Sequence, residues 1–296
     1  MKFYKVKNNS GFKMEGYFVW CGSVIKGDNG KYYLFASRWP VETGFPEGYM
    51  TNSEIVLASA ERPDGEYKFE KVIISKREGN YWDSMMAHNP FITKIGDKYV
   101  LFYIGSCDGK GETRKIGFAY SKKIEEGWVR SDEAIELPDN ANNPAVIDDG
   151  DGNILLYFRD GRLKVSVGRA KSYDEKFEIV NDNLFDKGMI EDMFLFKKDG
   201  KFFMVCEDAE GAYTGLSKGG VIFSSSAGIN FLFNSKGYGY DIEYENGEKL
   251  TLQRRERPFI LFDGEKKYLF TSAKIGGEEI LTGGKTWNMV QEIKEF

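Results

Sequence analysis

The chain is poor in the residues that most often carry chemistry, with one histidine and three cysteines in 296 residues. Cys21, Cys107 and Cys206 show no CxxC spacing, which excludes a zinc signature and leaves an odd thiol if any disulfide forms. No lysine or arginine run is dense enough to displace counterions from a phosphate backbone. With a formal charge of −5 and a pI near 5.3, no nucleic-acid partner is expected. The N-terminus lacks the continuous apolar segment of a signal peptide, and no window approaches the roughly 20 apolar residues that span a bilayer. A soluble, cytoplasmic protein with no membrane partner is expected. GxxxxGK[ST] does not occur, so a phosphate-cradling loop of that kind is excluded. The acidic stretch "DDGDGNILLYFRD" fails as a calcium loop, because Ile154 stands where glycine is needed and Asp160 where the closing glutamate belongs. No metal and no cofactor is expected.

Apolar and aromatic residues are plentiful, at 41% and 15%, enough to bury a sizeable core. They are arranged in a repeat. "CGSVIKGDNGKYYLFASR", "HNPFITKIGDKYVLFYIGS", "NNPAVIDDGDGNILLYFRDG", "EDMFLFKKDGKFFMVCEDA" and "ERPFILFDGEKKYLFTSA" each join two apolar runs through a Gly/Asp turn. That is a β-hairpin signature, and the runs are apolar on both faces, as in sheets packed between other sheets. Third strands follow in "SEIVLASA", "KIGFAYSK", "LKVSVGRA" and "GGVIFSSS". No long stretch has helical periodicity. Five such units predict an all-β, five-bladed β-propeller of antiparallel sheets around a central channel, as one domain over residues 1–296.

In a propeller the start of each inner strand and the end of the next emerge on one face. Aligning the repeats on Ser23, Pro90, Pro144, Met193 and Pro258 places Cys21-Gly22, His88-Asn89, Asn142-Asn143, Glu191-Asp192 and Glu256-Arg257 around one mouth of the channel. The second-strand ends add Arg38, Trp39, Arg159, Asp160, Glu207 and Asp208. Such a concentration of polar groups at one mouth predicts a site.

The inner-strand phrases, with "NPAVI", "EDMFLF" and "ERPFILF" opening successive blades, resemble the five-bladed propeller glycoside hydrolases of families 43, 62, 32, 68, 117 and 130. The resemblance is at the level of the repeat, covers nearly the whole chain and selects no single family. It implies an Asp before the blade-one proline as base or nucleophile, a supporting Asp in blade three, and a Glu two residues before the blade-four proline as general acid. Glu191 in "IEDMF" matches the last, with Met193 in place of proline. Blade one reads "WCGSVI" and blade three "NNPAVI", with no acid at either position.

Glycoside cleavage needs one carboxyl group to protonate the leaving oxygen and another to activate water or attack carbon. Glu191 is the candidate acid; its alternative is a salt bridge to Arg159 or Arg257. Asp83, in "YWDSMM" just ahead of the second inner strand, is the candidate base, and its alternative is an exposed loop residue or turn cap. Asp192 is an alternative partner, and strand alternation predicts that only one of Glu191 and Asp192 faces the channel squarely. His88 is read as a hydroxyl ligand, a holder of a central water or ion, or a structural group. Asn89, Asn143 and Glu256 join the substrate-binding set. Trp20, Trp39 and Trp82 offer sugar platforms or blade packing, and Arg38, Arg159 and Arg257 offer bidentate donors or internal ion pairs. Two irregular segments, "RWPVETGFPEGYMTN" and "SKREGNYWDSMMA", are expected to wall the mouth, which favours terminal residues or short oligosaccharides. Three functions are open: an inverting glycoside hydrolase acting on an oligosaccharide, a glycoside phosphorylase, and a carbohydrate-binding propeller without catalysis. The oligomeric state is not readable.

Overall fold

The expected hairpins form, and each grows into a four-stranded antiparallel sheet. The computed structural model describes residues 1–277 and 284–296. After a short strand β1 (Lys2–Phe3), blade one comprises β2 (Tyr17–Lys26), β3 (Tyr32–Pro40), β4 (Glu54–Ala60) and β5 (Lys68–Ile74), with a single helical turn α1 (Tyr49–Asn52) between β3 and β4. Blade two comprises β6 (Met86–Ile95), β7 (Lys98–Ser106), β8 (Lys115–Ser121) and β9 (Val129–Arg130). Blade three comprises β10 (Asn142–Asp148), β11 (Ile154–Arg159), β12 (Val165–Ala170) and β13 (Glu178–Asn181). Blade four comprises β14 (Ile190–Lys198), β15 (Lys201–Asp208), β16 (Gly219–Ser225) and β17 (Leu232–Lys236). A separate hairpin, β18 (Asp241–Glu243) and β19 (Lys249–Thr251), precedes blade five, which comprises β20 (Arg254–Asp263), β21 (Lys266–Ile275) and β22 (Lys285–Glu295).

The fourth strand of blade five is β1, paired with β22 through Lys2↔Glu295 and Phe3↔Ile293. The two ends of the chain therefore close the ring in one sheet. Phe12 and Asn288 reinforce the closure by exchanging backbone hydrogen bonds at 2.9 Å in both directions. Inner strands carry Val, Ile, Phe and Tyr on both faces because each is packed between neighbouring blades; Phe91, Phe194 and Phe259 meet with ring centroids 4.5 to 6.4 Å apart. These three rings occupy the bottom of a small cavity lined by residues of all five inner strands.

Each inner strand is interrupted at the same place. The pairing register slips between Trp20 and Ser23, His88 and Phe91, Asn142 and Ala145, Glu191 and Phe194, and Glu256 and Phe259. Within each slip one residue takes a left-handed backbone: Cys21, Asn89, Asn143, Asp192 and Arg257, with φ between 53° and 59°. These are five copies of one β-bulge, which re-aims a side chain at the price of an unpaired residue. The bulges also correct the repeat alignment in blade one. Cys21, not Gly22, is the equivalent of Asn89, and Gly22 occupies the position held by Pro90, Pro144, Met193 and Pro258.

Candidate functional site

The bulge sorts the mouth residues into two tiers. The residue before each bulge (Trp20, His88, Asn142, Glu191 or Glu256) opens onto a cleft at the channel mouth, and the left-handed residue after it forms a ring below. Strict alternation would turn one of Glu191 and Asp192 away. The bulge instead lets both line the cleft.

The residues of the lower ring are joined by a chain of hydrogen bonds. Cys21 Sγ donates to Asn89 Oδ1 at 2.8 Å, and Asn89 Nδ2 donates to Asn142 Oδ1 at 3.0 Å and Asn143 Oδ1 at 3.2 Å. Asn143 Nδ2 donates to Asp192 Oδ1 at 2.8 Å, and Arg257 bridges Asp192 at 3.0 Å and Asn143 Oδ1 at 3.0 Å. Asp192 is the one carboxylate of the five, and burial pushes its carboxyl above the usual range, opposed by Arg257 and reinforced by Glu256. Cys21 stands where the resemblance implies the blade-one acid. Burial pushes its thiol up to about 12, so it stays protonated at neutral pH and supplies no base.

The upper tier divides by chemistry. Blade one supplies an aromatic wall: Trp39, Phe45, Pro46 and Tyr49 come from β3 and the 41–53 loop, and Trp20 from β2. Trp39 and Phe45 stack at 5.7 Å, while Trp20 meets Phe45 edge-on at 5.3 Å. Blades three to five supply charge. Arg159 at the end of β11 is ion paired with Glu191, whose side chain keeps about a fifth of its surface exposed (19%). Arg254 grips Glu256 with two bonds of 2.5 and 3.0 Å.

Behind Glu256 lies Glu207, fully buried at the end of β15, with one carboxylate oxygen lacking a partner. Burial, then the charges of Glu256 and Asp192, raise its carboxyl well above the usual range, while Lys218 at 3.1 Å opposes. Oxygens of Asp192, Glu207 and Glu256 lie within 4.8 Å of one another, the one arrangement among the described residues with the spacing of a cation site. Lys218, Arg254 and Arg257 already contact these carboxylates, so the negative charge a divalent ion would need is matched by protein cations.

His88 lies between the tiers. Its Nδ1 is 2.8 Å from Ser53 Oγ, its Nε2 is 3.6 Å from Cys21 Sγ, and Tyr49 stacks on the ring at 4.5 Å. Burial and the positive charges of Arg257 and Arg114 hold its pKa well below the ordinary value. The folded protein thus refuses a proton that the unfolded chain accepts below about pH 6.5. Above that pH the group costs nothing; as pH falls below it, stability declines by up to about 1.4 kcal/mol per pH unit until the folded pKa is reached. NMR titration of this single imidazole is expected to show neutral shifts down through pH 6, and a midpoint near 6.5 would refute the assignment.

Three sequence expectations are corrected. Asp83 has no exposed surface and does not line the cleft: its carboxylate takes Arg77 at 2.7 Å, Tyr103 Oη at 2.7 Å and Arg130 at 3.5 Å. Trp82 packs on Tyr103 at 5.0 Å and donates to Ser131 O, so it is blade packing and no sugar platform. Arg38 faces outward, paired with Glu54 and stacked over Tyr17 and Phe69, because Trp39, its neighbour along β3, points inward. Trp20, His88, Asn89, Arg159, Glu191, Asp192, Glu256 and Arg257 do come together at the cleft, and Asn143 lies in the ring below. The sequence reading missed Phe45, Tyr49, Arg114 and Arg254. Tyr49 and Phe45 were inside a loop already expected at the mouth, and Arg254 is two residues before Glu256 on the same strand face. Arg114, in the loop after β7, carries no repeat signal.

No protein-family profile and no curated protein sequence matches the chain. Solved structures do. A family 43 β-xylosidase/α-arabinofuranosidase from a compost microbial metagenome, CoXyl43, aligns at 15% identity with TM-score 0.68, over 97% of this chain and 94% of that one. Zg3597, a family 117 glycoside hydrolase of the marine bacterium Zobellia galactanivorans, aligns at 14% identity with TM-score 0.68, over 98% and 89%. A GH43_1 enzyme from Xanthomonas citri complexed with xylotriose aligns at 13% identity with TM-score 0.66, over 96% and 88%. These likenesses show that the chain shares its fold with these enzymes.

Proposed function

We propose that the protein is a glycosidase that cleaves an oligosaccharide at the channel mouth, with Glu191 as proton donor, Asp192 as base and inversion at the anomeric carbon. The observation that carries this reading is the placement of Glu191: it is the partly exposed carboxylate of blade four, in the same cleft as the aromatic wall of blade one. Aromatic faces suit the apolar faces of sugars. Glu191 gives its proton to the glycosidic oxygen as the bond to the anomeric carbon breaks. A water attacks that carbon from the other side and passes its proton to Asp192 in the ring below. Both remaining cleft carboxylates, Asp192 and Glu256, are engaged by arginines, so a solvent-borne oxygen is the attacking group and a single displacement inverts. The similarity in fold to enzymes crystallised with xylotriose supports a carbohydrate substrate.

A second reading, phosphorolysis, is favoured by one observation: blades one to three contribute no carboxylate to the cleft. Phosphate is already an anion and needs no base. Product analysis on a panel of short oligosaccharides separates the two. Hydrolysis is expected to give free sugar at a rate independent of phosphate, with the inverted anomer formed first by NMR. Sugar 1-phosphate appearing only with added phosphate would establish the second reading, and no cleavage of any glycoside would overturn both.

A further inference from the structure

Four arginines line the cleft, and three are matched. Arg159 is paired with Glu191, Arg257 with Asp192 and Arg254 with Glu256. Arg114 has no carboxylate partner among the described residues. Its Nε donates to Asn140 Oδ1 at 3.0 Å and its Nη1 to Tyr49 Oη at 3.2 Å. A guanidinium carries five N–H donors, so both Nη2 hydrogens and one on Nη1 have no acceptor among the described residues, and the Nη1/Nη2 edge can take a carboxylate by two parallel bonds.

The fork is held in advance. Asn140 and Tyr49 fix it through Nε and Nη1, and Tyr49 is itself stacked on His88 at 4.5 Å. A side chain already ordered loses less entropy when it binds. Arg114 also lies near Arg159: burial lowers the Arg159 guanidinium, and the positive charges of Arg114 and Arg257 push it the same way. An unmatched guanidinium beside an aromatic wall defines a place for a negative group attached to a partly apolar body.

We propose that the cleft takes a sugar bearing a carboxylate, a uronic acid unit, whose oxyanion docks on the unoccupied edge of Arg114. This names the substrate class for the glycosidase reading above and rests on it. The shared chemistry is an oxyanion, and inorganic phosphate is the other source. The balance of charge favours the carboxylate: one unmatched positive charge fits a monoanion, whereas inorganic phosphate is already partly dianionic at neutral pH. Docking on Arg114 brings the carboxylate close to Arg159 as well. Any share of the Arg159 guanidinium taken by the substrate is withdrawn from Glu191, which raises the proton affinity of the group that must act as acid.

Calorimetry on the Glu191→Gln protein tests the site without relying on turnover. The probes are D-galacturonate and D-glucuronate, D-galactose and D-glucose, and inorganic phosphate. A uronate is expected to bind roughly tenfold or more tightly than its neutral counterpart, as charge-assisted hydrogen bonds allow. Adding Arg114→Gln is expected to abolish the preference, and Arg114→Lys to keep part of it, with the melting temperature of each ligand-free protein showing that the fold is intact. Equal binding of acidic and neutral sugars, or a preference that survives Arg114→Gln, overturns the proposal. Phosphate binding that depends on Arg114 without any uronate binding also overturns it. Uronate binding that depends on Arg114, together with a wild-type protein that cleaves no uronate-containing oligosaccharide, would leave the anion subsite standing and remove the catalytic reading.

Discussion

Replacing Asp83 with alanine is expected to destabilise the protein by roughly 3 kcal/mol, the lower end of the 3–5 kcal/mol that follows when one partner of a buried ion pair is removed. The carboxylate is fully buried and takes bonds from Arg77 at 2.7 Å, Tyr103 at 2.7 Å and Arg130 at 3.5 Å. Without it, Tyr103 becomes a buried hydroxyl with no acceptor and two guanidiniums lose their shared anion. The lower end applies because the arginines are not stranded. Arg77 keeps Asp132 at 2.8 Å, Arg130 keeps Ser75 O at 2.6 Å, and their side chains retain 17% and 18% of their surface in contact with water. Asp83→Asn, which preserves shape and an acceptor for Tyr103, is expected to lose less than alanine. Denaturant unfolding reads both values. Activity per folded molecule is expected to be unchanged, because Asp83 touches no residue of the cleft wall; a turnover that collapses while stability holds would restore it as the base.

Asp83 also shows where sequence reading stops. The repeat was legible because each blade must present the same apolar inner strand to its neighbours, and a two-sided apolar run before a Gly/Asp turn is a strong local signal. Five blades, the mouth and most of the cleft residues followed from that. What the sequence did not reveal was direction. "YWDSMM" lies next to the second inner strand, yet Trp82 and Asp83 turn away from the channel, packed among Tyr103, Arg77 and Arg130. A cap of two arginines drawn from segments 6 and 47 residues away cannot be inferred from local spacing. The blade-one shift is a similar case: "WCGSV" contains no proline to anchor the alignment, so only the left-handed backbone of Cys21 shows that it, rather than Gly22, continues the series of Asn89, Asn143, Asp192 and Arg257. Arg114 was invisible for a third reason. It stands in a loop outside the repeat and owes its importance to the absence of an acid beside it, which is a property of the folded charge distribution.

The largest expected effect is on chemistry, at Glu191. Substitution by glutamine keeps the shape and an oxygen for Arg159 but removes the transferable proton. Loss of a general acid typically lowers turnover by roughly 10²–10⁴-fold, and that range is expected for substrates whose leaving group is another sugar. The loss should shrink steeply for aryl glycosides with acidic phenols, because such leaving groups depart without protonation. This dependence on the leaving group is the signature that separates a proton donor from a residue that only holds the substrate, since a binding residue would lower both substrate classes alike. The ion pair with Arg159 bears on the same experiment. In the free protein Glu191 is paired with Arg159, so proton transfer from Glu191 requires the pair to loosen as substrate enters. Arg159→Gln is therefore expected to reduce substrate binding. An equal loss on sugar and aryl leaving groups in Glu191→Gln would place Glu191 among the binding residues and leave the proton to come from elsewhere.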